Sequence, residues 1–313
     1  MTELHLTPDD DLTDILERLN GPTTIYLKSG TYRQKVEICC EHDLTVIGED
    51  RETTVITYDD YARKIHADGR EYNTFRTYTL CVTGERVRLE NLTVENGNTD
   101  PKTVGQCVAL SVNARSFYAK NVDLKSTQDT LFLAPFPDDL IVRYRGFIPE
   151  NQLYLEGGSL HYFENCRVYG TVDFIFGCAE AYFKKCKLIS LDDGRNYGFV
   201  AAPAHSLKQE RGFVFHDCDF LSEGAQENSV YLARPWRDFG KCEFIGCRLG
   251  GHIKPELYDK WNDTNRDTTA RFAHRNLKCG FIPSPVKWSK ELKESEADDI
   301  INILTARIDN LNK

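Results

Sequence analysis

No apolar run in this chain approaches the roughly 18 residues of a membrane-spanning helix, so a span of that kind is not expected. Basic charge is short as well: 39 Lys and Arg stand against 48 Asp and Glu, a formal net charge of −9. Nucleic acid and anionic membranes select basic surfaces, so neither is expected as a partner, whereas a carbohydrate is not excluded. The paired Cys-x-x-Cys spacing of a zinc site is missing although there are eleven cysteines. Several of them stand in apolar settings, as in Phe163-Glu164-Asn165-Cys166 and Phe215-His216-Asp217-Cys218, where a free thiol behaves as a small buried hydrophobe. An odd number of unpaired cysteines fits a reducing compartment. The N-terminus, Met1 to Asp11, has neither the basic flank nor the apolar stretch of a signal peptide. The expected location is therefore the cytoplasm, although a secreted chain whose leader had been removed would read the same. No Gly-x-Ser-x-Gly elbow is present, and none of the eight histidines falls within the aspartate, glutamine and arginine motifs below; His216 sits mid-repeat and is expected to face outward. A serine–histidine–acid triad has no support.

What the chain does have is a repeat. An apolar residue is followed by two mostly polar ones, a small or apolar residue, any residue, and another apolar one. Copies are Leu89-Glu90-Asn91-Leu92-Thr93-Val94, Ala119-Lys120-Asn121-Val122-Asp123-Leu124, Phe163-Glu164-Asn165-Cys166-Arg167-Val168, Phe183-Lys184-Lys185-Cys186-Lys187-Leu188, Phe215-His216-Asp217-Cys218-Asp219-Phe220 and Phe244-Ile245-Gly246-Cys247-Arg248-Leu249. Their starts lie 30, 44, 20, 32 and 29 residues apart. Short alternating strands at such intervals, with little helical signal between them, predict an all-β solenoid rather than a propeller or a sandwich. Each coil buries its inward residues against its neighbours, so the cysteine and aliphatic positions should stack in ladders. The 44-residue interval holds a surplus, expected as a loop thrown out over residues 135–155.

The ends differ from the middle. Thr7-Pro8-Asp9-Asp10 reads as a helix start with Thr7 as N-cap, and Leu12, Ile15, Leu16 and Leu19 fall on one face before Asn20-Gly21-Pro22 stops it. A helix over about 8–20 would cover a bare end of the solenoid. Near the C-terminus Ile300, Ile301, Leu304, Ile308 and Leu311 form a second apolar stripe, suited to packing back on the coil or to self-association. The expected organisation is one solenoid domain over 1–290 with an amphipathic helix over 291–313.

Two aspartates and an arginine stand in apolar settings that would be costly for unpartnered charges. Asp173 lies in Gly170-Thr171-Val172-Asp173-Phe174-Ile175-Phe176-Gly177, Asp129 in Ser126-Thr127-Gln128-Asp129-Thr130-Leu131-Phe132, and Arg234 in Tyr231-Leu232-Ala233-Arg234-Pro235-Trp236. Asp129 and Asp173 each follow an equivalent repeat residue, Val122 or Cys166, by seven positions. In a solenoid, equivalent places on adjacent coils lie roughly 4.8 Å apart, which brings the two carboxyls together. Taken as structure alone, Asp173 would cap a turn, Asp129 would be an Asx-turn residue, and Arg234-Pro235-Trp236 would be a corner. Gln106 and Gln128 would belong to a polar ladder. Trp261 and Trp288 are assigned to core or end packing.

These motifs, with Gly30-Thr31-Tyr32 and Gly105-Gln106-Cys107-Val108-Ala109-Leu110, occur in an order that resembles the pectin methylesterases, carbohydrate esterases that demethylate polygalacturonate. The resemblance spans most of the chain and implies a right-handed parallel β-helix. It implies Asp173 as nucleophile, Asp129 as general acid/base, Gln106 and Gln128 as an oxyanion hole, and Arg234 as the residue that holds Asp173 and lowers its pKa. Trp236 would stack on a sugar ring, and Phe132 and Phe174 join it as expected substrate contacts. The implied partner is a methylated galacturonan or oligogalacturonide, with no cofactor and no metal; the chain itself is expected to be a monomer or weak oligomer. Four positions depart from the family pattern: Ala233 for glycine, Gln34 for glutamate, Phe132 for tyrosine and Tyr258 for tryptophan. The 135–155 surplus would wall off one end of the groove and favour short oligosaccharides. A pectate lyase or polygalacturonase, a thioesterase, and a non-catalytic carbohydrate-binding solenoid are the competing readings.

Overall fold

Each copy of the repeat turns a corner at its third residue. In the computed structural model, which describes residues 2–98, 100–154 and 159–311, Asn91, Asn121, Asn165, Lys185 and Asp217 all have φ of 52–53° and Gly246 has φ 68°. Asparagine, aspartate and glycine tolerate this left-handed region, so the polar third position is a backbone requirement. The turn also builds its own ladder, with Asn121 Nδ2 donating to Asn91 Oδ1 at 3.0 Å and Asn165 Nδ2 to Asn121 Oδ1 at 2.6 Å. Two further coils continue the series beyond the copies legible in sequence: Val46 pairs with Leu89, and His274 pairs with Phe244 ahead of a left-handed Asn276.

Stacking the corners gives a right-handed parallel β-helix. A run of in-register parallel strands leads into each corner, and a nine-stranded parallel sheet leads out of it. A third face carries the strands Val36–Cys40, Leu131–Leu133, Val172–Gly177, Gly198–Pro203 and Val230–Ala233. Leu80–Glu90 and Leu110–Lys120 are long enough to bend from the third face onto the first, pairing with both. Inside, Phe163, Phe183, Phe215 and Phe244 stack with centroids 4.6–4.9 Å apart, each contact worth about 0.5–1.5 kcal/mol beyond burial. Beneath the corners Leu92, Val122, Cys166, Cys186, Cys218 and Cys247 form the expected ladder, all buried. Each thiol donates to a carbonyl of the preceding coil, Cys186 Sγ to Phe163 O at 3.4 Å and Cys218 Sγ to Phe183 O at 3.3 Å. All eleven cysteines are free.

The N-terminal helix is shorter than its pattern. It spans Leu12–Glu17 with Asp11, not Thr7, as N-cap, and Thr2–Leu6 is a strand that starts the first sheet. Thr7 instead donates to Asp10 Oδ2, which makes Thr7–Asp10 a closed turn. Gln34 fixes the helix by accepting from Leu12 N and donating to Asp10 O, both at 2.8 Å. The C-terminal helix, Glu294–Leu311, lays Ala297, Ile300, Leu304 and Ile308 on the outer face of the first sheet, against Leu160, Tyr162, Tyr182 and Val214. Its stripe is used within the chain; the side chain of Leu311 lies outside the described residues.

The surplus after Leu133 is more than a loop. It folds into two short helices, Asp138–Tyr144 and Glu150–Leu153, packed through Phe136, Leu140, Tyr144, Ile148 and Leu153 onto Phe75, Phe132 and Phe176. Its return is pinned by Asn113 Nδ2, which donates to Asn151 O at 3.1 Å and Gln152 O at 2.7 Å. Leu155, the last residue of the expected surplus, lies outside the described residues.

Candidate active site

The third face brings the two aspartates onto neighbouring rungs. Leu131 pairs with Ile175 and Phe132 with Phe176, which puts Asp129 level with Asp173, and Asp129 N donates to Val172 O at 3.1 Å. Both have left-handed backbones, φ 63° and 51°, a conformation uncommon for non-glycine residues and concentrated at functional sites. The glycines bounding the octet make this possible. A Cβ on Gly170 would meet Phe174 Cβ at 2.2 Å, and one on Gly177 (φ 129°) would meet Leu133 O at 2.0 Å. Neither place admits a side chain.

Arg234 grips Asp173 with two bonds, Nε to Oδ1 at 2.8 Å and Nη2 to Oδ2 at 2.6 Å. The guanidinium is itself sandwiched, 3.8 Å from the Phe199 ring and 3.9 Å from that of Trp261, so its plane is fixed on both sides. Among the described residues, no cation pairs with Asp129 in this way. Burial first, then the charge of Asp173, drive its pKa well above the usual carboxylate range, against weaker pulls from Arg234, Gln128 and Arg195. Asp173 was expected to be lowered by its arginine. Its pKa is instead raised, because burial outweighs the Arg234 contacts. The pair is still asymmetric: one carboxyl is gripped by a cation, and the other sees an anion. That is the arrangement in which one carboxyl stays ionised while the other keeps its proton.

Both aspartates, 9% and 8% exposed, open into a cleft of about 530 Å³ that is also lined by Gln106, Gln128, Arg234, Trp236 and Phe176. Gln106 and Gln128 lie on adjacent rungs, joined by Cys107 N donating to Gln128 O at 3.0 Å. The cleft thus holds two carboxyls, two amides, a fixed guanidinium and aromatic walls. This set can attack an acyl carbon, stabilise an oxyanion and protonate a leaving group.

Two expected substrate contacts are not available. Phe174 is 0% exposed and points into the coil, and Phe132 is 0% exposed beneath Phe75 and Phe136. For Phe174 the cause is a register irregularity between Val172 and Ile175, after which Phe176 faces the cleft, edge-on to Trp236 at 5.6 Å; Phe132 pairs in register with Phe176 and is covered by Phe75 and Phe136. Trp261, assigned to packing, lines the cleft instead, whereas Trp288 does pack on the core. Arg195 went unnoticed in the sequence. It is paired with Asp193 through Nε at 2.8 Å and reaches toward Gln128 and Thr171 at 3.5 Å. Its one signal was a lone cation in the acidic turn Asp192-Asp193-Gly194. Tyr258 is buried with its hydroxyl donating to Ala273 O at 3.2 Å, so it serves the core.

The Pectinesterase family profile matches residues 5–135 and 139–302. Pectinesterase 31 of Arabidopsis thaliana is 30% identical over 288 residues, which cover 90% of this chain and 81% of that protein. Among solved structures, the pectin methylesterase from Yersinia enterocolitica superposes with a TM-score of 0.71 at 26% identity, covering 88% of this chain and 91% of that one. A pectin methylesterase in complex with a hexasaccharide gives a TM-score of 0.74 at 23% identity, covering 91% and 89%.

Proposed function

The chain belongs to the pectinesterase family and is a carboxylic ester hydrolase, and we propose that it hydrolyses the C6 methyl ester of methylated galacturonate oligosaccharides to carboxylate and methanol, with Asp173 as the nucleophile. The observation that carries the mechanism is the in-register pair Asp129–Asp173 with Arg234 bidentate on the second member only.

Asp173 attacks the ester carbonyl carbon, and the developing oxyanion accepts hydrogen bonds from the amides of Gln106 and Gln128. The carbon–methoxide bond breaks as the Asp129 carboxyl gives its proton to the departing oxygen, which leaves as methanol. The product of this half is an anhydride between Asp173 and the uronyl group. Asp129, now ionised, takes a proton from water, and the hydroxide attacks the uronyl carbon. Asp173 departs as carboxylate and Asp129 is protonated again, so the cycle closes without a cofactor. Trp236 and Trp261 give apolar faces for sugar rings.

Substrate length belongs to the same proposal. The insertion helix Asp138–Tyr144 lines the cleft through Leu140, Arg143 and Tyr144, and residues 62–75 line it through Ala62, Arg63, Glu71, Asn73, Thr74 and Phe75. Walls of this kind favour short oligosaccharides over polymer. The cytoplasm is proposed as the location, supported by free thiols used as packing residues. A monomer or weak oligomer is supported by the C-terminal helix, whose stripe is already buried. Incubation with methylated trigalacturonate and with long-chain pectin should release methanol without new reducing ends or unsaturated products, faster from the trimer. Reducing ends or unsaturation would replace the esterase reading, and faster release from polymer would remove the length preference.

A further inference from the structure

Four arginines line the catalytic cleft of a chain whose net charge is −9. Arg234 is committed to Asp173. Arg237, which stacks 4.8 Å from the Trp236 ring, binds Asp139 of the insertion helix with Nε to Oδ1 at 3.0 Å and Nη2 to Oδ2 at 2.7 Å. Arg63 donates to Thr103 O at 3.1 Å. Arg143 is different: it is exposed, it opens into the same cleft as Asp173, and it makes no ion pair among the described residues. It sits one turn along the insertion helix from Asp139 and 5.3 Å from the Tyr144 ring. Arg143 and Arg237 both bear on the Tyr144 hydroxyl, which is fixed by donating to Asn73 Oδ1 at 2.9 Å. Two guanidiniums therefore stand on one wall, Arg237 paired with Asp139 and Arg143 without an ion pair among the described residues, in a cleft whose lining also carries Glu71.

We infer that Arg143 is a specificity residue that binds the free carboxylate of a galacturonate unit neighbouring the one being de-esterified, so the preferred oligosaccharide is partly unesterified. The inference rests on the esterase reading of the cleft and adds to it which neighbours the ester should have. A methyl ester offers a guanidinium only a neutral acceptor. A carboxylate offers a charge-assisted, potentially bidentate bond, the strongest pairing an arginine makes. Every earlier turnover on the same oligosaccharide creates such a carboxylate, so the insertion would let the enzyme recognise units it has already processed.

The test uses two trigalacturonates, one fully methylated and one with a single free carboxylate beside a methyl ester. The wild type should favour the acid-bearing trimer in kcat/KM by about tenfold, as a hydrogen bond between charged groups would give, and the preference should shrink as ionic strength rises. Arg143→Gln should bring the ratio of the two kcat/KM values close to one, and Arg143→Lys should retain part of the preference. A wild type that treats the trimers alike, or an Arg143→Gln variant that keeps the wild-type ratio, overturns the inference while leaving the esterase reading intact. Methanol from neither trimer would count against the esterase reading itself and take this inference with it.

Discussion

Asp129 bears the energetic cost of this site. It is buried, left-handed in its backbone, and placed beside a second carboxyl with no ion-pair partner of its own among the described residues. Its raised pKa means that the folded chain holds its proton more tightly than the unfolded chain does. The associated stability is present below the ordinary carboxylate value, near 4, and is lost as pH rises toward the folded value. Asp129→Asn cannot ionise, so at pH 8 it should melt higher than the wild type, by about 2–4 °C for each kcal/mol of relieved strain, with no gain at pH 4. Melting curves at both pH values check this; an equal or lower melting temperature at pH 8 would mean that Asp129 is not held protonated. The meeting of Asp129 and Asp173 was legible in the sequence because both obey the repeat's count. The facing of Phe174 was not, because alternation along a strand is a local rule that one irregular step reverses, and the covering of Phe132 was not, because Phe75 and Phe136 reach it from outside its strand. Trp261 was hidden for a related reason. It sits at φ 72° in a loop closed by its own N–H donating to Asp259 Oδ1 at 2.7 Å, where no periodicity applies.

At the scale of elements, the insertion between the two aspartate-bearing rungs forms one wall of the cleft. Its outer end is tied to the opposite lip by Asp139 and Arg237, an exposed pair of modest strength, about 0.2–1 kcal/mol. Asp139→Ala should loosen that tie and raise the rate on long-chain pectin relative to a methylated trimer by up to about fivefold, the most such a pair can contribute. Relative rates on the two substrates read it directly, and an unchanged or lowered ratio would contradict the insertion as a length filter. The position of this element was visible as a surplus in one repeat interval. Its helices were not, because Asp138–Tyr144 and Glu150–Leu153 are one or two turns long and stand only by packing on Phe75, Phe132 and Phe176. The N-terminal helix shows the converse error. Thr7-Pro8 has the composition of a cap, but Asp10 takes the Thr7 donors for a turn, and Gln34, between the strands Gly30–Arg33 and Val36–Cys40, selects Asp11 as the start.

For the molecule as a whole, the repeat and the chemistry are one fact. A left-handed residue at the corner of each of the six repeat copies keeps successive coils in register, and the register is what sets two carboxyls 44 residues apart in sequence side by side. The fold was legible because its rule is written into six copies; the outer coils at Val46 and His274 were missed because Gly48 and His274 break the pattern of residue types while their strands keep the pairing register. The most direct test is methanol release from a methylated oligogalacturonide by wild type and by Asp173→Asn, with melting temperature as the check on folding. The account predicts a folded variant whose turnover falls by roughly 10⁴-fold or more, the scale on which loss of a nucleophile acts. A folded Asp173→Asn enzyme that releases methanol at a rate near the wild type's would contradict it.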